Sequence, residues 1–227
     1  MYARVVTFLA AFSLVWGLTL TAAAQENWPD SLARLNKAIQ QSPRSTDLRL
    51  KKAAVNIELN QWEYAAEEYG RVLSIEPDNL AAHYFRAYVF LHLRQPDKAQ
   101  RDYEDFLLKS PRHFGARLGL ATTKKMLGRK TEAMNQLNLL VEHHPDSAAA
   151  FAARAGYEEE LEQTEPALYD WDEAIRLAPR NESYVASKVA LLIRMKRRGE
   201  ARATVGEALK RGIPKAALQE LTEQINK

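Results

Sequence analysis

Residues 80–113 read LAAHYFRAYVFLHLRQPDKAQRDYEDFLLKSPRH, a stretch of 34 residues after which the chain begins to resemble itself again. Its second proline, Pro111, is one of five at a fixed interval, since Pro43, Pro77, Pro111, Pro145 and Pro179 each lie 34 residues apart. Counted back from these prolines, position −12 holds Ser31, Ala65, Ala99, Ala133 and Ala167, and position −8 holds Leu35, Tyr69, Tyr103, Leu137 and Trp171. Residues four apart are neighbours on a helix surface, so a small and a large side chain alternate on one face. Counted back from the last four prolines, position −24 is always alanine (Ala53, Ala87, Ala121, Ala155) and position −18 always leucine (Leu59, Leu93, Leu127, Leu161). Two helices fit inside each period, and a proline closes the second.

A 34-residue period with a small residue in each helix and a closing proline resembles the tetratricopeptide repeat. The resemblance implies an all-α fold, a right-handed α-solenoid of helix-turn-helix units with about twelve helices, each unit packed only on its neighbours. Residues 46–214 divide into five units, at about 46–79, 80–113, 114–147, 148–181 and 182–214. The fifth keeps Ala201, Val205, Ala208 and Leu209 in phase but has Ile213 where the proline would stand, with Pro214 one residue late. Residues 25–45 read as a lone second helix, opened by Asn27 or Asp30 and carrying Leu32, Leu35, Ala38 and Ile39 at helical spacing. Residues 215–227 place Leu218, Leu221 and Ile225 on one face of a helix that should cap the other end.

Residues 1–24 read as a secretory signal: Arg4 in a positive n-region, a charge-free apolar run from Val5 to Leu20, and an A-x-A site at Ala22-Ala23-Ala24. The mature protein is expected to begin at Gln25, exported and periplasmic, with no membrane attachment after cleavage. The other reading is an uncleaved anchor, because Val5–Ala24 is 20 residues, long enough to span a bilayer.

Composition narrows the function classes. Apolar residues at 46% and charged residues at 27%, with only 9 Gly and 9 Pro, suit a folded chain. The net charge of +3 arises from 32 basic and 29 acidic residues mixed along the chain, which predicts no nucleic-acid footprint. Cysteine is absent, which excludes disulfides, thiolate metal sites and a cysteine nucleophile. There is no G-x-S-x-G, phosphate-binding glycine loop or H-E-x-x-H, and the histidines at 83, 92, 113, 143 and 144 have no ligand-set spacing. No catalytic residue, cofactor or metal is expected, and the chain reads as a non-enzyme.

Charge recurs in phase with the repeat. Lys52 and Glu68, Arg86 and Asp102, and Arg154 and Asp170 stand 16 apart at the same two positions, whereas the third unit has Leu120 and Gln136 there. Cation and acid vanish together, which suggests contact between the two helices of a hairpin. In the fifth unit Lys188 faces Thr204.

The resemblance also implies that first helices line a concave surface. The inward positions are then Leu50, Ala54 and Ile57; Tyr84, Tyr88 and His92; Leu118, Thr122 and Met126; Ala152, Gly156 and Glu160; and Ala186, Ala190 and Arg194. The family's lysine and asparagine clamp on a C-terminal carboxylate finds Leu50, Ala54, Tyr84, Tyr88, Leu118 and Thr122 at the matching places, so that ligand mode is not expected here. The groove reads as apolar, with Leu50, Tyr84, Tyr88, His92, Leu118 and Met126 as the candidate partner-binding residues. The expected function is a protein-interaction scaffold of the bacterial cell envelope that binds a partner protein or peptide. The alternative is a fixed structural subunit, or a membrane-tethered assembly factor, of an envelope or secretion complex.

Overall fold

The computed structural model describes residues 27–226, and the signal reading of residues 1–24 lies outside them. Among the described residues the chain forms twelve α-helices and no strand. After α1 (Trp28–Gln41) come five helical hairpins: α2 (Thr46–Glu58) with α3 (Trp62–Ile75), α4 (Leu80–His92) with α5 (Pro96–Lys109), α6 (Phe114–Met126) with α7 (Lys130–His143), α8 (Ala148–Glu160) with α9 (Thr164–Leu177), and α10 (Glu182–Arg194) with α11 (Arg198–Lys210). A 3₁₀ turn at Lys215–Leu218 and α12 (Gln219–Asn226) close the array.

Helix boundaries follow the period because their caps do. Two residues after each of the five prolines stands the N-cap of a first helix: Ser45, Asn79, His113, Ser147 and Asn181. Each accepts a hydrogen bond from a first-turn backbone N–H, satisfying one of the donors that a helix start leaves free. Asn27 does the same for α1, accepting from Asp30 N, and Asp30 is the acid of its first turn. Inside every hairpin the turn passes through one left-handed residue: Asn60, Arg94, Gly128, Glu162 and Lys196 have φ of 56°, 56°, 72°, 60° and 60°. Glycine and asparagine take that conformation readily, whereas arginine, glutamate and lysine carry a cost of about 1 kcal/mol there.

The small residues of the period are where helices meet. Ala53, Ala65, Ala87, Ala99, Ala155, Ala167 and Ala201 have no exposed surface, and Tyr69, Tyr103, Leu137 and Trp171 fill the space four residues on. The core is therefore a row of successive clusters along the array. First helices α2, α4 and α6 approach one another more closely than second helices do, which curves the stack with first helices on the inside. At the C-terminal end Ile213 is buried where the other repeats have an exposed proline, and Leu218 and Ile225 seal the last hairpin. One inward position shifts by a residue: Glu58, not Ile57, takes the place of His92 and Met126, while Ile57 packs into the core of the first repeat.

Candidate functional site

The charges expected to touch do so. Lys52 Nζ lies 2.9 Å from Glu68; Arg86 grips Asp102 through Nε and Nη2 at 2.8 and 2.7 Å; Arg154 grips Asp170 through Nε and Nη2 at 2.6 and 2.8 Å. The three acids are buried, so each cation replaces the water its carboxylate has lost. Burial pushes Glu68 up, but hydrogen bonds from Lys52 and Arg49, with the charges of Lys52 and Arg71, hold it below the usual carboxylate range. Lys188 departs from expectation: it reaches back to Asp172 on the preceding hairpin, because Thr204 offers no charge.

A second periodic cation escaped the sequence reading. Six residues after the proline stand Arg49, His83 and Arg117, each bridging the carbonyl of that proline to the residue that pairs, or would pair, with the first cation. Its signal is a 34-residue recurrence of basic residues, masked because one is histidine and the fourth and fifth repeats have Phe151 and Val185. His83, Asp102 and Asp105 bring possible ligand atoms within 4.8 Å of one another. Both Asp102 oxygens already accept from Arg86, and the His83 nitrogens lie 2.9 Å from Asp102 and from the Pro77 carbonyl. The cluster is a turn-to-hairpin tie with a guanidinium at its centre.

On the inner face the six candidate residues divide. Tyr84 is largely structural: its ring packs against Tyr103, Phe106 and His113, and its hydroxyl reaches over Gly115, where a Cβ would come within 2.6 Å of it. Only glycine admits that approach. Leu50 packs with the first core cluster along the array and Leu118 with the third, both half-buried, whereas Met126 is exposed. Tyr88 and His92 come together around a residue the sequence reading missed, Trp62 at the start of α3. His92 stacks on the indole at 4.0 Å between centroids with planes 5° apart, and Tyr88 meets both rings edge-on at 6.2 and 4.6 Å. Burial lowers the His92 pKa, which keeps the ring neutral at pH 7, and burial followed by the Glu58 charge raises that of Tyr88. Trp62 and Tyr88 are half-buried and His92 is exposed, so the cluster leaves aromatic edge and face partly open. Trp62 belongs to a second helix, outside the positions that a scan of first helices inspects.

A 34-residue period, inter-repeat alanines and stacked hairpins coincide with a family match: the tetratricopeptide repeat matches residues 22–87 and 90–156, more than half of the chain. The chain belongs to the tetratricopeptide repeat family. Solved tetratricopeptide structures share its fold. One from Parabacteroides merdae ATCC 43184 aligns with TM-score 0.62 and 20% identity over 88% of this chain and 78% of its own. MamA from Desulfovibrio magneticus RS-1 aligns with TM-score 0.59 and 15% identity over 80% and 94%. YrrB, described as a tetratricopeptide protein with an unusual peptide-binding site, aligns with TM-score 0.59 and 15% identity over 83% and 97%. At these identities the likeness is one of fold. Comparison with curated proteins gives no match. The tetratricopeptide fold is consistent with a protein–protein interaction scaffold.

Proposed function

We propose that this tetratricopeptide array is an exported, non-enzymatic scaffold of the bacterial cell envelope that receives a peptide or protein segment on the inner face of its N-terminal half. The observation that carries the reading is the half-exposed aromatic cluster of Trp62, Tyr88 and His92, flanked by Leu50 and Met126. Aromatic rings supply large contact area at low entropy cost, with a polar tip, as interface hot spots do. Peptide is the favoured occupant because YrrB, of similar fold, is described as having an unusual peptide-binding site. Export rests on the n-region, apolar run and A-x-A site of residues 1–24.

The test is in-cell crosslinking of the tagged protein, identification of the captured partner, and repetition with Tyr88→Ala/His92→Ala. These two side chains are chosen over Tyr84, whose packing would confound binding with folding. Capture should fall at least about tenfold while the circular dichroism melt stays near that of the parent, as expected for hot-spot truncation. Unchanged capture by a folded variant would remove the groove from the reading, and constant co-fractionation at high mass would favour a fixed subunit.

A further inference from the structure

The turn-to-hairpin tie is complete in two repeats and lacks its acid in a third. Arg49 donates to Glu68 and to the Pro43 carbonyl, and His83 faces Asp102 and the Pro77 carbonyl. Arg117, at the same position, donates to the Pro111 carbonyl and, at 2.8 Å, to the neutral amide oxygen of Gln136. Leu120 stands where the other cation would be, so the repeat has lost one cation and its acid but kept Arg117. The residue is 8% exposed and forms no ion pair among the described residues. A buried cation without a counter-charge is costly, and the usual remedies are a partner charge or a bound ion.

Two buried atoms of this repeat are unpartnered. The Nε of Arg117 and the Nδ1 of His143, the last residue of α7, are buried and have no hydrogen-bond partner. Burial, then the charges of Arg117 and Arg112, lower the His143 pKa, with Glu142 opposing them and His144 adding to them. Burial also lowers that of Arg117, and Glu142 is the acid that opposes it. The His144 Nε2 lies 2.8 Å from the Arg112 carbonyl and Arg117 donates to the Pro111 carbonyl, so the end of α7 and the first turns of α6 meet on the turn that carries Arg112.

We propose that Arg117, His143 and Arg112 form a site for one small oxyanion (phosphate, sulfate or carboxylate) that supplies the charge missing at Gln136. The guanidinium fork suits such a ligand because its free Nε–H adds a charge-assisted hydrogen bond to those already directed at Gln136 and Pro111. The site lies at the junction of the second and third repeats, away from the aromatic cluster, and does not depend on what the groove binds.

The experiment follows the Arg117 Nε–H cross-peak in proton–nitrogen NMR spectra, identified by its loss in Arg117→Lys or, if that variant misfolds, by through-bond assignment. Sodium sulfate and sodium acetate are titrated separately against sodium chloride at matched ionic strength. Sulfate should produce a saturable shift with a millimolar midpoint, accompanied by shifts of the His143 ring. In Gln136→Glu, which restores the acid found in the first two repeats, that response should disappear. A response to sulfate alone would identify a free divalent oxyanion as the ligand, and an equal response to acetate a carboxylate such as a partner side chain. Indistinguishable drift in sulfate, acetate and chloride, or an undiminished response in Gln136→Glu, would overturn the proposal.

Discussion

Replacing Arg86 and Asp102, singly and together, tests whether the periodic ion pairs hold hairpins as units. Arg86→Met leaves a carboxylate that is 2% exposed, with the His83 ring 2.9 Å away as its remaining side-chain neighbour at hydrogen-bond distance. Breaking a buried pair costs about 3–5 kcal/mol, and the remaining imidazole contact places this variant near about 3 kcal/mol. Asp102→Leu leaves a guanidinium that is 24% exposed and lies 5.7 Å from the centre of the Phe90 ring. It regains water and a cation–π contact, so the loss is smaller, about 2 kcal/mol. The double variant removes both charges and leaves two apolar side chains of similar volume, which should lose less than Arg86→Met alone, about 2 kcal/mol, where independent effects would give about 5. The coupling is then about 3 kcal/mol, read from urea denaturation of all four proteins at pH 7. In thermal melts each kcal/mol corresponds to about 2–4 °C for a chain of this size. A coupling below about 0.5 kcal/mol would show that the pair is incidental and that its recurrence does not report contact energy.

Three further outcomes are expected. Burial, then repulsion from Asp170, raises Glu158 to about 7 against the pull of Arg154; its neutral form is favoured on folding, so its contribution is full below the unfolded value of 4.5 and lost as pH rises through about 7. Glu158→Gln should remove up to about 3 kcal/mol of that decline, measured as denaturation midpoints at pH 5 and pH 8, and equal slopes for variant and parent would exclude Glu158 as the cause. A Cβ on Gly119 would lie 2.3 Å from Cζ of the buried Tyr103, so Gly119→Ala should destabilise by about 1–3 kcal/mol and be tolerated in a Tyr103→Leu background; equal cost in both backgrounds would refute the steric account. Mass spectrometry of the exported protein should find Gln25 at the N-terminus, and an intact Met1 in the membrane fraction would make the apolar run an anchor.

The features legible in the sequence were those that packing forces to recur. Position −12 must be small because two helices meet there, and Ala65, Ala99, Ala133 and Ala167 are at most 1% exposed. The pairing of Lys52, Arg86 and Arg154 with their acids was legible because one repeat lost both partners at once. The left-handed turn residue was hidden, since Arg94, Glu162 and Lys196 take a conformation their chemistry does not advertise and the closed hairpin imposes it. His113 was equally opaque as an N-cap: its Nδ1 accepts the Ala116 N–H, which requires that nitrogen to be unprotonated, and burial favours the neutral ring. The inner face was least legible. Which tyrosine is core depends on whether the next repeat offers a glycine beneath it, and Gly115 assigns that role to Tyr84.

Residues that vary between repeats set what the inner face can do, and from the second repeat to the fourth they lose first rings and then large apolar side chains. The second repeat offers Tyr84, Tyr88 and His92, the third Leu118, Thr122 and Met126, and the fourth Ala152, Gly156 and Glu160. In the C-terminal half the charged groups on first helices are already committed to one another, Lys125 to Glu160 and Arg194 to Glu159, bridging α6 to α8 and α10 to α8. Exposed pairs of this kind are worth about 0–1 kcal/mol each, too little to define the fold but enough to occupy the groups a ligand would need. Ring surface is committed differently: Trp62, Tyr88 and His92 touch one another yet remain partly open, and burying their open faces removes apolar area from water without breaking an existing hydrogen bond. On the proposed function, a partner that gains its affinity from burial would be drawn to the N-terminal half, and the small residues of the fourth repeat would leave its chain room to exit.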